Sequence, residues 1–174
     1  EARLLEAVKA CGRKVVAWGE FGLDYSHTQY GRSAENRRQQ REVFARQLKL
    51  AIAHKYPLML HVRAAERDTL RMMRHWVPRD WPVQMHSYRG SIQLMRAILS
   101  EFSRAYIGIP GILTMDDPIS LEICSVCPLE RMVLETDSPY LPVAGAQFSH
   151  PGHIPAIVRR LAELKGRPSS EVAA

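Results

Sequence analysis

Cysteine is scarce in this 174-residue chain, and what there is forms an odd set: Cys11, Cys124 and Cys127. Such a set offers no disulfide framework, as expected of a reducing compartment. Cys124-Ser125-Val126-Cys127 has CxxC spacing, but it closes a predicted helix just before Pro128 instead of opening one, and no second pair completes a zinc knuckle. Packed thiols are the reading. No apolar run approaches the ~18 residues needed to cross a bilayer. The opening Glu1-Ala2-Arg3-Leu4-Leu5-Glu6 is charged and helical in character, unlike a signal peptide. The expectation is an intracellular protein, nuclear or cytoplasmic, with no membrane partner. No internal repeat and no flexible linker marks a second domain, so residues 1–174 are read as one.

What is present is an ordinary globular composition, 46% hydrophobic and 24% charged, with a net charge of +6. Of the 24 basic residues 19 are arginine, whose planar fork suits phosphate oxygens. A polyanionic substrate fits that balance, although net charge describes nonspecific attraction and not a site. Arg37, Arg38, Arg41 and Arg46 fall in one predicted helix among Glu35, Glu42 and glutamines, the pattern of a solvated outer face.

Strand-like and helix-like segments alternate along the chain. A helix over residues 4–10 stops near Gly12, and a strand is expected from about Lys14 to Glu20. A polar loop over 26–33 leads into an amphipathic helix over 34–55, with Val43, Phe44, Leu48, Ala51 and Ile52 as its buried stripe. Short apolar runs then end at His61 and His86, with a helix over 64–76 between them burying Leu70, Met73 and Val77. Ser91 caps the following helix. A strand over 104–109 precedes a helix that Asp116 and Pro118 start, and a further strand runs toward Asp137. A helix over 153–165 ends at Gly166, and another begins at Ser169. Strand-helix alternation of this kind implies an α/β fold with a parallel sheet. About five units are present where a (β/α)8 barrel takes ~250 residues. The expectation is therefore a TIM-like barrel, incomplete, with N-terminal strands missing and truncation at both ends.

In parallel sheets chemistry is done at the carboxyl ends of strands. Glu20, His61, His86 and Asp137 occupy such positions in the predicted strands, Glu20 between Gly19 and Gly22. A lone histidine there is more often a hydrogen-bonded structural residue, and a lone carboxylate a cap. Two imidazoles and two carboxylates buried together without a cation are costly, however, and divalent metal resolves the cost. Nitrogen and carboxylate oxygen suit zinc or manganese, with magnesium less favoured.

The residues also carry a resemblance. Gly19-Glu20-Phe21-Gly22-Leu23-Asp24-Tyr25, Pro57-Leu58-Met59-Leu60-His61-Val62-Arg63, His86-Ser87-Tyr88-Arg89-Gly90, Gly108-Ile109-Pro110-Gly111 and Glu135-Thr136-Asp137-Ser138-Pro139-Tyr140 resemble the ordered motifs of the TatD-type metal-dependent nucleases. His150-Pro151-Gly152 is similar to the animal branch of that family. The resemblance implies hydrolysis of phosphodiester bonds in DNA, possibly RNA, by water activated between two divalent ions (zinc, manganese or magnesium). In that case Glu20 is the bridging ligand, His61 and His86 are single-metal ligands, and Asp137 is a ligand that also orients or deprotonates water. Arg63 is the candidate for a substrate phosphate, an ion pair with Asp24 or Glu66 being its other reading. The chain departs from the family in two places. It has no His-x-His pair, and Ser87-Tyr88-Arg89 replaces the usual residues after the second histidine, which points to an altered substrate lining. Expected with this reading are a nucleic-acid partner and a monomeric state. Two alternatives stay open: an inactive fragment or nucleic-acid-binding remnant lacking the His-x-His ligands, and a metal-dependent hydrolase of small amides or esters.

Overall fold

The computed structural model describes residues 2–26, 31 and 33–173, so the predicted loop over 26–33 lies largely outside the described residues. Five strands, β1 Trp18–Asp24, β2 Leu58–Arg63, β3 Val83–Met85, β4 Ala105–Ile109 and β5 Met132–Leu134, form one sheet. They lie side by side in chain order and every pair is parallel. The helices are α1 Ala2–Cys11, α2 Ala34–Ala53, α3 Glu66–Trp76, α4 Ile92–Glu101, α5 Pro118–Val126, α6 Ile154–Lys165 and the single turn α7 Ser169–Val172. From α2 to α6 each helix touches the next. A sheet wound in one direction, with no reversal of strand order, is the arrangement of a barrel wall and differs from the doubly wound open sheet.

Local chemistry accounts for the element ends. The Ser33 side chain accepts from the Asn36 backbone N–H to start α2, and Ser91 accepts from Leu94 to start α4. Gly166, at φ 60°, closes α6. The cap of α5 is Asp117, which accepts from Ser120, and not the expected Asp116. Asp116 sits one residue earlier in a left-handed turn and pairs with Arg160 instead.

Strand alternation divides the sheet into two faces. On β2, Leu58, Leu60 and Val62 are buried against the helices, while Met59, His61 and Arg63 occupy the other face and are half-buried. Phe44, Leu48, Met73, Met95, Ile98, Phe102, Ile123, Ile157 and Leu161 fill the layer beneath the helices. The predicted stripe of α2 holds at Phe44, Leu48 and Ala51, but Val43 lies around the helix from them and is exposed. On α3 the buried residues are Thr69, Met72 and Met73, with Leu70 only partly covered. Cys124 and Cys127 are buried free thiols at the end of α5.

One boundary moves in a way that matters. The first strand starts at Trp18, not Lys14, because Gly12–Lys14 forms a short helical turn and Val16 stays in solvent. Glu20 is therefore the third residue of β1 and not its last. Gly22 lies directly across from His61, and a Cβ there would come within 1.8 Å of the His61 carbonyl oxygen. The carbonyl is backbone and a Cβ is fixed in place by the backbone, so neither can swing aside. Gly22→Ala is expected to lower the stability by at least about 2 kcal/mol, at the upper part of the range for overpacking, read as a fall in the urea midpoint.

Candidate metal centre

Each candidate side chain reaches the site by a distinct backbone device. Between Trp18 and Phe21, three residue steps on β1 face two on β2, from Leu58 to Leu60. The irregularity falls at Gly19-Glu20 and turns the Glu20 carboxylate out of the regular alternation, as bulges do beside active sites. His61 is carried by the helix-free face of β2, and His86 follows β3 directly. Asp137 lies three residues beyond β5. Ala64, Ser87 and Asp137 all have positive φ, 51°, 44° and 53°. These left-handed turns follow strands β2, β3 and β5, where a strained backbone redirects the chain at the site's rim.

The side chains converge. Glu20, His86 and Asp137 each offer a ligand atom lying within 4.8 Å of those of the other two. His86 Nε2 is 2.9 Å from Glu20 Oε2 and 3.3 Å from Asp137 Oδ1. His61 stands outside that mutual cluster but against Glu20, with its Nδ1 3.3 Å from Oε1 and its Nε2 3.7 Å from Asp24 Oδ2. Glu20 thus turns one oxygen to each imidazole. The His61 Nδ1 atom is buried without a hydrogen bond. An unsatisfied nitrogen beside two carboxylates and a second imidazole is a donor set that fits a divalent cation.

Protonation divides the two histidines. Burial, and next the charge of Arg63, hold the His61 imidazole below its ordinary pKa, against the opposing pull of Glu20 and Asp24. His61 is therefore neutral at pH 7, as a ligand must be. The hydrogen bond to Glu135 above all pushes His86 upward, with Glu20 and Asp137 adding to it.

Glu135 is a residue whose role sequence reasoning missed. Its Oε2 accepts from His86 Nδ1 at 2.6 Å and from Gln84 Nε2 at 3.1 Å, and its Oε1 accepts from the Ser87 backbone N–H. With Nδ1 committed to that bond, Nε2 is the atom His86 presents to Glu20 and Asp137. Room for the carboxylate exists because residue 108 is glycine: a Cβ would stand 2.0 Å from Glu135 Oε1. The signal was in the sequence, since Glu135 is two residues before Asp137 and so shares its strand-end setting.

Arg63 has two readings, a substrate phosphate or an ion pair with Asp24 or Glu66. No ion pair joins it to Asp24 or Glu66 among the described residues. Glu66 instead accepts from the Ser91 N–H and hydroxyl. The Arg63 guanidinium donates to the Val62 carbonyl, and its charge is disfavoured by burial first and by nearby Arg89 second, against the opposing pull of Asp24, Asp137 and Glu20. Arg89 makes a two-pronged pair with Asp117. Ser87 and Tyr88 do not line a substrate path as expected. Both are buried, and the Tyr88 hydroxyl donates to the Ser91 carbonyl.

Comparison with known proteins gives a consistent result. The TatD related DNase family matches residues 1–174. The human 3'-5' RNA nuclease TATDN2 is 36% identical over 98% of this chain and 22% of its own length. Deoxyribonuclease Tat-D of Schizosaccharomyces pombe is 39% identical over 83% of this chain and 43% of its own length. This chain therefore spans less than half of either curated relative. A crystal structure of a TatD homologue from Escherichia coli superposes with a TM-score of 0.84 at 28% identity, over 99% of this chain and 64% of that one.

The carboxylate behind His86 has a measurable consequence. Glu135→Gln keeps a hydrogen-bond acceptor but removes the charge, and is expected to weaken divalent-ion binding by roughly 10-fold, the lower end of the usual effect of such partners. Titration calorimetry with Zn²⁺ or Mn²⁺ on the apoprotein reads it, with an unchanged circular dichroism spectrum as control.

Proposed function

Because the chain belongs to the TatD related DNase family, we propose that it acts as a metal-dependent nuclease that hydrolyses phosphodiester bonds of DNA or RNA. The meeting of Glu20, His86 and Asp137 ligand atoms within 4.8 Å carries that reading. In it Glu20, His61, His86 and Asp137 would hold two divalent ions, zinc, manganese or magnesium, and the two Glu20 oxygens face different imidazoles. Bound divalent ions supply charge that offsets the phosphoryl oxygens and lowers the pKa of water toward ~7.

The protein's own groups do the rest. Asp137 orients the attacking water and takes its proton on a carboxylate oxygen. The water oxygen bonds to phosphorus as the phosphorus–oxygen ester bond breaks, and the leaving oxygen takes up the proton that Asp137 holds or one from solvent, giving a phosphate monoester and an alcohol. Arg63 positions the phosphate: it is half-buried beside the site, and burial and Arg89 disfavour its charge against the opposing pull of Asp24, Asp137 and Glu20. A phosphate in a charge-assisted hydrogen-bonded pair would offset that cost.

The five-stranded arc belongs, in this reading, to a (β/α)8 barrel whose wall other strands complete and to which they add ligands. Its coverage of 64% of the Escherichia coli homologue supports this. So do exposed Leu4 and Val16, beside a cavity of about 340 Å³ lined by Leu4, Val8, Val15 and Trp18 together with Glu20 and Gln47. Apolar surface of that kind is covered when a wall continues past it.

Two measurements test the proposal. Labelled single- and double-stranded oligonucleotides are incubated with the protein and Mn²⁺, Mg²⁺ or Zn²⁺. Cleavage is expected to be abolished by chelation and to fall about 10²–10⁴-fold in Asp137→Ala, the range for removing a general base. Equal cleavage by that variant, or none by the parent protein, sinks the reading. Arg63→Ala is expected to weaken oligonucleotide binding on every sequence alike and to lower the slope of log affinity against log salt by about one.

A further inference from the structure

The loop between β3 and α4 carries an arginine, Arg89, three residues beyond His86. Its neighbours along the chain are locked. The Tyr88 N–H donates to the Gly108 carbonyl at 3.0 Å and the Tyr88 hydroxyl to the Ser91 carbonyl at 2.7 Å, while Glu66 accepts from the N–H and the hydroxyl of Ser91, each at 2.6 Å. The space beside Gly90 is filled, since a Cβ there would stand 2.7 Å from the hydroxyl oxygen of buried Tyr88. Asp117 fixes the Arg89 guanidinium itself, with Nη1 2.9 Å from Oδ2 and Nη2 3.1 Å from Oδ1. That end-on fork uses two of the five N–H donors of an arginine. Among the described residues no acceptor meets the Nε edge.

Strand pairing brings a second guanidinium to the same rim. Leu60 pairs with Met85, and the His86 N–H donates to the Leu60 carbonyl at 2.9 Å, so His61 and His86 stand side by side with ring centroids 6.4 Å apart. Arg63 follows His61 by two residues on the same face of β2. The charges that act on it are those of Arg89, which opposes it, and of Asp24, Asp137 and Glu20, which favour it. Asp117 neutralises Arg89 only in part. The Oδ2 atom that takes Arg89 also accepts the N–H and the hydroxyl of Ser120, so the carboxylate is shared with the start of α5.

We propose that Arg63 and Arg89 together grip the terminal phosphomonoester of a nucleic-acid strand, so that the protein selects strands ending in phosphate over strands ending in hydroxyl. The inference rests on the nuclease reading and adds the strand end that is recognised and the residue, Arg89, that reads it. Charge selects this ligand. Two guanidiniums on one rim repel each other until two negative charges meet them, and a phosphomonoester carries close to two at pH 7, about twice the charge of an internal phosphodiester. Divalent ions offset the Glu20 and Asp137 carboxylates in the nuclease reading, which leaves the guanidiniums to set the local preference. Geometry selects it as well. The edge of Arg89 that Asp117 leaves open is a second fork, matched to two phosphate oxygens, and it is held in place before the ligand arrives. The altered substrate lining expected of Ser87-Tyr88-Arg89 then falls on Arg89 alone, because the other two are buried.

The test reads binding by fluorescence anisotropy with divalent ions chelated, so that no strand is cut and the site carboxylates oppose every probe alike. The probes are oligothymidylates of one length, labelled with fluorescein at the far end and carrying a 3'-phosphate, a 5'-phosphate, hydroxyls only, or a terminal methyl phosphate that keeps the group and loses one charge. One phosphorylated end is expected to bind about 10-fold more tightly than the hydroxyl ends, the contribution of one charge-assisted hydrogen bond, and methyl capping is expected to remove most of that preference. Arg89→Gln is expected to bring phosphate and hydroxyl ends to equal affinity. Arg89→Lys keeps a charge facing Asp117 without the fork and is expected to lose most of the preference too. The preference is a ratio within one protein, so partial unfolding of a variant does not imitate its loss. Equal binding of all ends by the parent protein, a preference that methyl capping leaves intact, or one that survives Arg89→Gln overturns the grip. So does an equal loss on phosphate and hydroxyl ends in both variants, which marks Arg89 as structural. Cleavage of the hydroxyl-ended strand by the parent protein with divalent ion present is scored separately: preference without cleavage defeats the nuclease reading, and cleavage without preference defeats the grip alone.

Discussion

The His86 imidazole is held from behind by Glu135 at 2.6 Å and faces Glu20 and Asp137 at 2.9 and 3.3 Å. Three carboxylates around one ring repel one another unless positive charge lies among them, either a proton on the ring or a bound cation. Much of the local architecture serves that line. Gly108 vacates the volume that Glu135 fills, the left-handed turn at Ser87 brings its N–H onto the same carboxylate, and the break in register on β1 delivers Glu20. An acceptor behind a ligating histidine fixes which nitrogen is offered in front and raises its basicity.

The sheet separates the demands of folding from those of the site. One face is apolar and packed beneath the helices. The opposite face carries His61, Arg63 and Gln84, with His86 and Glu135 just past the strand ends. Polar groups there satisfy one another across strands far apart in sequence, such as Gln84 with Glu135. Positive φ at Ala64, Ser87 and Asp137 places backbone strain at the rim, where the loops after β2, β3 and β5 leave the sheet. Stability resides in the helix-side layer, which leaves the rim able to carry strained turns and unsatisfied atoms such as His61 Nδ1.

The residue pattern disclosed the order of elements, the caps at Ser33 and Ser91, the stop at Gly166 and the four chemistry-bearing side chains. These are local properties, carried by periodicity and by side chains that compete for backbone hydrogen bonds. Errors arose where a partner strand or helix decides. Val15 and Val16 read as strand interior, yet pairing with β2 begins at Trp18. Asp116 and Asp117 are equivalent as text, and only Asp117 meets both Ser120 and Arg89. Val43 belongs to an apolar stripe whose rotation about α2 depends on the sheet it meets. Ser87 and Tyr88 looked like substrate lining and are instead buried support.

Sequence alone determined the alternating α/β plan, since apolar spacing and turn residues act over a few neighbours, and it named residues able to hold a cation. Tertiary structure decided which of them share a space. Glu20, His86 and Asp137 form one mutual cluster and His61 stands beside it, a difference set by strand register and one irregular step. It also brought in Glu135, because an orienting carboxylate is defined by what lies 2.6 Å away and not by its neighbours along the chain.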